Sequence, residues 1–126
     1  MPVLTQPPSM GDVLKYEANP NYTREVITLL AGTPYPVGSV LGKITASGKY
    51  TLSTATGSDG AETASAVLLY AVDATLADAT GIVVIRGPVI VSRAGLAFDA
   101  TVNDSTKITA KLTQLASAGI ITRDGV

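Results

Sequence analysis

The stretch SVLGKITASGKYTLS, residues 39–53, contains the strongest secondary-structure signal in this chain. Its two ends, SVLGKIT and KYTLS, are rich in β-branched, aliphatic and aromatic residues, which favour strands. Between them lies ASG, residues 46–48, and its glycine can adopt the positive φ that tight turns require. The stretch therefore predicts a β-hairpin in which Lys43 and Lys49 flank the turn and are exposed to solvent.

The two Gly-Lys pairs in this hairpin invite comparison with the phosphate-binding loop of nucleotide enzymes. That loop requires a glycine, four further residues, and then Gly-Lys followed by Ser or Thr. Here five residues separate Gly42 from Gly48, and Lys49 is followed by Tyr50. A count from Gly38 fails as well, because only three residues separate Gly38 from Gly42 and Lys43 is followed by Ile44. The spacing excludes a phosphate-binding loop and supports the hairpin.

The composition lacks most of the groups that enzymes use. The 126 residues include no cysteine, which excludes disulfides and thiolate metal sites, and no histidine, the commonest metal ligand and general base. A serine nucleophile would need a base, and no serine lies in a Gly-x-Ser-x-Gly pattern. We therefore expect no catalytic residues, no cofactor and no small-molecule substrate.

Two acidic side chains, Asp59 and Glu62, lie close together in a loop rich in Gly, Ser and Thr, residues 53–65. A calcium loop needs more oxygen ligands at regular spacing, so the pattern does not predict a metal site. Asp59-Gly60 is a strong turn dipeptide. We interpret Asp59 as a turn residue and Glu62 as a solvated side chain in a mobile loop.

The charge content separates this chain from ordinary soluble domains. Its net charge is −1 without a basic cluster, which argues against nucleic-acid binding. It has no run of 18 apolar residues and no signal-peptide pattern, so we expect no membrane contact and synthesis in a cytoplasm. Charged residues make up only 15%, against about 25% in typical domains. Such a chain would expose apolar surface, which an oligomer could bury.

The N-terminal part differs in character from the rest of the chain. Residues 1–21 carry four prolines and no sustained periodicity, which predicts a flexible arm without a core of its own. Residues 22–126 would then form a single β-rich domain. Its first strand is expected at 22–30, YTREVITLL, because the residues alternate in character along this segment.

Two further segments favour strands. Residues 66–74, AVLLYAVDA, are nearly all apolar and predict a strand that is buried on both faces. Residues 81–93, GIVVIRGPVIVSR, are interrupted by Gly87-Pro88, and proline cannot donate a hydrogen bond to a neighbouring strand. This interruption predicts a bulge, or two strands that meet at a bend.

One helix is expected late in the chain, in NDSTKITAKLTQLASAGI, residues 103–120. Asp104 or Ser105 can cap its start, and Gly119 lies where helices commonly end. Its apolar stripe would consist of Ile108, Leu112, Leu115 and Ala116. The tail at 122–126 is expected to fray. The predicted fold class is thus small α+β, mainly β with one short C-terminal helix.

A small carrier module with a lipoyl-like barrel is one alternative function. Such a domain also contains a Gly-Val element before a hairpin, as in PVGSVLGKI, residues 36–44. It requires a lysine at the tip of a tight exposed turn, whereas Lys43 and Lys49 flank the predicted turn. A carrier or scaffold module without enzymatic activity remains the second hypothesis.

The order of these elements resembles that of the lambda-type bacteriophage head decoration proteins. The resemblance rests on the hairpin GSVLGK, the return strand GKY, and the Asp59-Gly60 loop that leads through Ala64 into the apolar segment at 67–69. It continues more weakly through GPVIVSR at 87–93 and LASAGIITR at 115–123. It covers most of the chain from Tyr22 onward.

The resemblance implies a compact, β-barrel-like subunit that forms homotrimers. Such trimers bind the major capsid protein on the outer surface of the phage head, at three-fold and quasi-three-fold positions. There they stabilise the expanded head against the pressure of the packaged DNA. The family is not enzymatic and uses no cofactor, and its N-terminal arm is flexible in solution. The mature location would be the virion.

Two groups of residues are candidates for the capsid contact. A strand with a free edge can add to a sheet of another protein through main-chain hydrogen bonds. The first candidate is therefore the strand at Tyr22, Thr23, Arg24, Glu25, Val26, Ile27 and Thr28, with either face able to dock. The second candidate is the loop at Ser58, Asp59, Gly60 and Glu62.

Overall fold

The computed structural model describes residues 13–124 and shows a mainly β protein with one helix near the C terminus, as predicted. The strands formed by these residues are β1 Leu14–Glu17, β2 Arg24–Leu29, β3 Pro34–Tyr35, β4 Val40–Lys43, β5 Tyr50–Leu52, β6 Ala66–Leu68, β7 Val72–Asp73, β8 Ala79–Val84, β9 Val89–Ser92 and β10 Ile120–Arg123. Helix α1 spans Pro20–Thr23, and helix α2 spans Ser105–Ser117. Arg93–Gly95 form a 3-10 turn.

The predicted hairpin is present and is formed by β4 and β5. The two strands pair antiparallel, with Leu41 opposite Leu52. The backbone N–H of Gly48 donates to the carbonyl of Ile44 at 2.8 Å, and Gly48 has φ +75. The turn therefore uses the conformational freedom for which this glycine was expected.

The hairpin forms part of a closed five-stranded barrel with the order β2-β5-β4-β6-β8. β8 pairs antiparallel with both β2 and β6. The residues that face the barrel interior, together with one residue from β3 and the residue directly after β7, form one buried core: Leu29, Tyr35, Leu41, Tyr50, Ala66, Leu68, Ala74 and Val83. Because side chains alternate along a strand, their neighbours in sequence point outward from the same wall.

A second core lies on the outside of the barrel wall. It is covered by α2 and by a three-stranded sheet with the order β1-β9-β10. Its buried members are Val13, Val37, Val40, Ala64, Val67, Leu69, Val84, Val89, Val91, Leu115 and Ile120. The wall strands therefore carry apolar residues on both faces, as in Val67 followed by Leu68.

The expectation of one continuous strand at 66–74 is wrong. The segment forms β6, turns at Leu69 and Tyr70, and then forms β7, which pairs with β3 instead of a barrel strand. Leu69 is buried in the second core and Tyr70 is exposed. An unbroken apolar run conceals such a turn, because periodicity distinguishes faces but does not reveal where a buried chain changes sheet.

The break at Gly87-Pro88 separates two strands, which is one of the two predicted outcomes. β8 belongs to the barrel and β9 to the three-stranded sheet, so the chain changes sheets at this bend. The Gly87–Pro88 peptide bond is cis. The N–H of Gly87 donates to the carbonyl of Ala118 at 2.9 Å, which fixes the bend against the end of α2.

Helix α2 occupies the predicted segment, but its buried face differs from the prediction. Asp104 is the N-cap, and its side chain accepts the N–H of Lys107 at 2.8 Å. The buried residues of the helix are Lys111 and Leu115, whereas Ala116 is exposed. The buried face thus includes Lys111, which the expected apolar stripe left out because lysine is a polar residue type.

The chain ends of the described region are more ordered than predicted. Val13 is fully buried in the second core, and β1 pairs antiparallel with β9, so the second half of the expected arm begins in the core and continues as a strand of the three-stranded sheet. β10 pairs parallel with the other edge of β9, although frayed residues were expected from Thr122 onward. The boundary at residue 22 is therefore wrong for this part of the arm. Residues 1–12 lie outside the described part of the chain.

An ion pair joins β1 to the start of β2. The guanidinium of Arg24 donates to the Glu17 carboxylate through Nη2 at 2.5 Å and through Nε at 3.1 Å. The hydroxyl of Thr23 donates to the same carboxylate at 2.6 Å. These bonds, with that from Arg24 the strongest, hold the pKa of the Glu17 carboxyl below its ordinary value of 4.5. The three-stranded sheet is thereby linked to the barrel by a nearly buried charge.

Replacing this charge should make stability less dependent on acidity. Glu17→Gln keeps the shape but loses the ionic bonds, so we expect a loss of about 1–2 kcal/mol at neutral pH. Because the folded-state pKa is lowered, the wild-type advantage is complete above pH 4.5 and is lost as pH falls through that lowered pKa. Chemical denaturation of both proteins between pH 7 and pH 3 measures the difference. A gap that stays constant down to pH 3 would show that the Glu17 charge does not contribute.

Candidate functional site

The barrel is closed between β2 and β5 by a single residue pair, which leaves a gap along most of β2 that we call the seam. β2 pairs with β8 along its whole length, from Arg24 to Leu29, but with β5 only where Leu29 lies opposite Tyr50. Among the described residues, no strand pairs with residues 24–28 on the side away from β8. This stretch of β2 is therefore the edge strand that the sequence prediction required.

The backbone bonds at the two ends of β2 show which groups point into the seam. The carbonyl of Thr23 accepts from Ile85, which follows β8, at 2.9 Å, whereas the N–H of Leu30 donates to Tyr50 in β5 at 2.8 Å. Because main-chain groups alternate between the two sides of a strand, the N–H and C=O of Val26 point away from β8 and into the seam. These are the groups with which an added strand would pair.

The seam is a groove of about 380 Å³. One wall is formed by β2, and the other by the β4–β5 hairpin; the lining residues are Glu25, Val26, Ile27, Thr28, Lys43, Gly48, Tyr50, Ile85 and Arg86. The hairpin turn is therefore a neighbour of β2. The sequence reading did not include Lys43 and Gly48 in the site, because the distance between them and β2 along the chain hides this contact.

Arg86 fixes the first residues of the candidate strand. Its guanidinium lies 5.3 Å from the centre of the Tyr22 ring, a favourable cation–π distance. It also donates to the backbone carbonyl of Tyr22 at 2.5 Å and to the Glu25 carboxylate at 3.3 Å. The edge of β2 is thus held in place from the end of β8, so it is available as a pre-formed template.

Two of the predicted strand residues have a different role. Tyr22 and Thr23 belong to α1, and β2 begins at Arg24. Thr23 is fully buried, where its hydroxyl bonds to Glu17, so it is not part of the surface. Of the seven predicted residues, the exposed ones are Tyr22, Glu25, Val26 and Thr28.

The outer face of β2 and β8 next to the seam is apolar and uncovered. Val26 is 66% exposed and lies directly opposite Ile82, which is 37% exposed. Two residues further along β8, Val84 is fully buried under the second core. The apolar outer surface of the barrel therefore continues past the edge of its cover and reaches solvent at these two residues.

The loop at 53–65 is anchored, although it was expected to be mobile. The carbonyl of Ala61 accepts the Ser53 hydroxyl at 2.7 Å, and the carbonyl of Asp59 accepts the N–H of Thr45 at 2.8 Å. A side chain at Gly42 would place its Cβ 2.2 Å from the oxygen of Ala61, so only glycine allows this approach. The exposed residues of the loop are Thr63 and the four at its tip, residues 56–59.

The two acidic side chains of this loop bond to its own backbone. Asp59 accepts the N–H of Ala61 at 3.0 Å, and Glu62 accepts the N–H of Gly60 at 2.8 Å. Gly60 has φ +105, in agreement with the predicted turn. Within residues 13–124 no three side chains of the acidic, His or Cys type are grouped to hold a metal ion. In the same range no helix has the length and apolar character to cross a membrane.

The structure brings the two predicted contact regions to the same end of the barrel. Both adjoin the β4–β5 turn: the seam of β2 borders it at Lys43 and Gly48, and the loop bonds to it at Thr45. The turn itself presents Ala46 and Ser47 to solvent. The candidate site is thus one surface with three parts, which we call the seam end: the edge of β2, the β4–β5 turn and the loop tip at 56–59.

The same geometry weakens the carrier alternative. The turn apex is formed by residues 45–48, and both lysines lie on its flanks. Lys49 forms an ion pair with Asp78 at 2.6 Å, and Lys43 lies within the strand pairing opposite Tyr50. A carrier lysine would have to lie at the tip of the hairpin, and no lysine occupies that position.

The sequence matches the family model described as bacteriophage lambda head decoration protein D over residues 3–120. The match confirms the resemblance seen in the motifs and extends it into the N-terminal segment ahead of Tyr22. A comparison with curated proteins found no match.

Proposed function

This chain belongs to the bacteriophage lambda head decoration protein D family, and from that premise we propose that it binds the major capsid protein as a homotrimer. The family is structural and not enzymatic, so the chain has a structural role in capsid decoration. The finer assignment is attachment to the outside of the expanded head at its three-fold and quasi-three-fold positions. There it would stabilise the head against internal DNA pressure after synthesis in the host cytoplasm.

The observation that carries this proposal is the extent of the family match, residues 3–120 of a 126-residue chain. It includes the barrel, strands β1 and β9 and helix α2, and it ends at Ile120, the first residue of β10. Every element of the seam end lies within it as well. The properties described for the site are therefore properties of the part of the chain that defines its family.

The β2 edge supports a capsid contact by strand addition. Main-chain hydrogen bonds supply affinity in this mode, and the side chains that flank the edge supply selectivity. Val26 offers both, since its backbone faces the seam and its side chain is exposed. A coat-protein strand alongside residues 25–28 would pair with the main-chain groups of Val26 and Thr28 that face the seam, where no strand of the described residues pairs with them.

The low charge content and the exposed apolar side chains support the homotrimer. Leu76 is 97% exposed, and it lies in a loop that is fixed on either side. The N–H of Gly32 donates to Ala74 at 2.8 Å, and Asp78 accepts the N–H of Ala31 at 2.8 Å. A large apolar side chain held out on an anchored loop loses little entropy when a neighbouring subunit covers it.

Trimerisation would strengthen attachment without any new type of contact. Three equal contacts on one body act at a high effective concentration, so weak single contacts combine into firm binding. A closed ring of three subunits also matches the symmetry of a three-fold position. This is the physical reason to expect the oligomer and the capsid contact in one molecule.

The oligomeric state can be measured on the isolated protein. Light scattering after gel filtration at micromolar concentration should give about 38 kDa, three times the 12.8 kDa mass of the chain. Leu76→Asp tests whether the exposed leucine is buried between subunits, and Ala77→Asp, at an exposed position of the same loop, is the control. A wild-type mass near 12.8 kDa would contradict the homotrimer.

The β2 edge can be tested with a single proline. Val26→Pro removes the N–H that faces the seam but leaves the pairing with β8, because proline is tolerated on an edge whose N–H points outward. Val26→Ala is the control, since it shortens the side chain and keeps the N–H. In co-sedimentation with undecorated expanded heads, we expect Val26→Pro to need at least tenfold more protein for half-saturation than Val26→Ala. Equal binding of the two variants, both folded and of wild-type mass, would rule out strand addition at β2.

A further inference from the structure

Lys111 is a buried charged residue that neither the barrel nor the β2 edge explains. It lies in the middle of α2 and is only 2% exposed. Its ammonium group donates to the backbone carbonyl of Glu62, which is 49 residues away along the chain. Less than one turn later on the same helix, the side-chain oxygen of Gln114 accepts the N–H of Ala64 at 2.7 Å. Two polar side chains of one helix thus hold one short segment of the loop.

We propose that Lys111 and Gln114 are positioning residues for the capsid contact: they hold residues 60–64 against α2 and so fix the loop tip at 56–59 beside the β4–β5 turn. The inference rests on the proposed function, because it assigns a role to the loop within the same seam end. We call this pair of bonds the α2 clasp. It requires no direct contact between either side chain and the coat protein.

The geometry of the loop explains why the clasp controls the tip. Ahead of the tip, Ala55 donates its N–H to the Thr101 hydroxyl at 3.0 Å. Behind the tip, the carbonyl of Asp59 accepts from Thr45 at 2.8 Å. The tip is therefore a short bridge between two anchored points. The second anchored point, Asp59, is followed directly by residues 60–64, so the position of Asp59 depends on the bonds from α2.

The choice of a lysine indicates a positioning role more than a stabilising one. Burial lowers the pKa of the Lys111 ammonium, while the carboxylates of Glu62 and Asp99 partly offset this effect. An unbranched apolar side chain could fill the same space without the cost of removing a charge from water. What the ammonium adds is a directional bond to the Glu62 carbonyl, and that bond fixes the path of the loop.

The test compares variants that keep volume but lose the polar bonds. Lys111→Met removes the ammonium, and Lys107→Met is the control, an exposed lysine of the same helix. Gln114→Leu removes the acceptor for the N–H of Ala64, and Gln114→Glu retains an acceptor oxygen at the same place. Two readouts are needed: hydrogen exchange of the backbone amides at 60–64, and co-sedimentation with undecorated expanded heads.

We expect Lys111→Met and Gln114→Leu to speed exchange at 60–64 at least tenfold and to weaken head binding at least fivefold. The two controls should match the wild type in both readouts. Unchanged exchange at 60–64 would overturn the clasp itself. Faster exchange with unchanged head binding would overturn its role in the capsid contact.

The outcome also separates this inference from the proposed function. If the wild-type protein does not sediment with heads, the proposed function fails, and the capsid role given to the clasp fails with it. The exchange measurement then still decides whether Lys111 and Gln114 hold the loop. If the wild type binds and the clasp variants bind as well as the wild type, the proposed function stands and the capsid role of the clasp does not.

Discussion

The structure depends on one part of the barrel, the wall formed by β4, β6 and β8, which has apolar side chains packed against both of its faces. The interior of the barrel lies on one side of β4, β6 and β8, and the second core lies on the other. Val67 and Val84 face outward beneath α2 and the three-stranded sheet, whereas Leu68 and Val83 face inward. A wall of this kind needs apolar residues at successive positions, and this accounts for much of the high apolar content of a small chain. The cover is incomplete, and where it ends Val26 and Ile82 reach solvent. The β2 edge, which belongs to the seam end that we assign to capsid binding, therefore lies where the cover of the wall stops.

The hairpin that closes the barrel also organises this surface. Gly42 lets the loop at 53–65 approach the back of β4, and the turn after β4 separates that loop from the edge of β2. Strand addition at β2 and contacts from the loop tip would then meet the same partner from two sides of one turn. The helix contributes from a distance through the bonds of Lys111 and Gln114. In the contact that we propose, capsid attachment would therefore depend on residues that also take part in internal packing.

The sequence predicted those elements that are determined by residues adjacent in the chain. The β4–β5 hairpin, the Asp104 cap of α2 and the break at Gly87-Pro88 each follow from residues that are adjacent in the chain. The prediction failed where distant segments decide. β1 and β10 owe their order to the two edges of β9, and a short strand beside proline-rich sequence has no periodic signal of its own. Lys111 was absent from the predicted stripe because lysine is a polar residue type, and its acceptor, the carbonyl of Glu62, cannot be identified from side-chain types. The β2 edge was predicted from alternation, but the seam that exposes it exists only because β5 diverges after a single pairing.

The central claim is that this seam end faces the capsid, and electron cryomicroscopy of expanded heads saturated with the protein tests it most directly. The account predicts three copies around each three-fold position. It also predicts a coat-protein strand within hydrogen-bonding distance of Val26 and the loop tip at 56–59 against the coat surface. A reconstruction in which the β2 edge and the β4–β5 turn point away from the head, with the opposite end of the barrel on the coat protein, would contradict it.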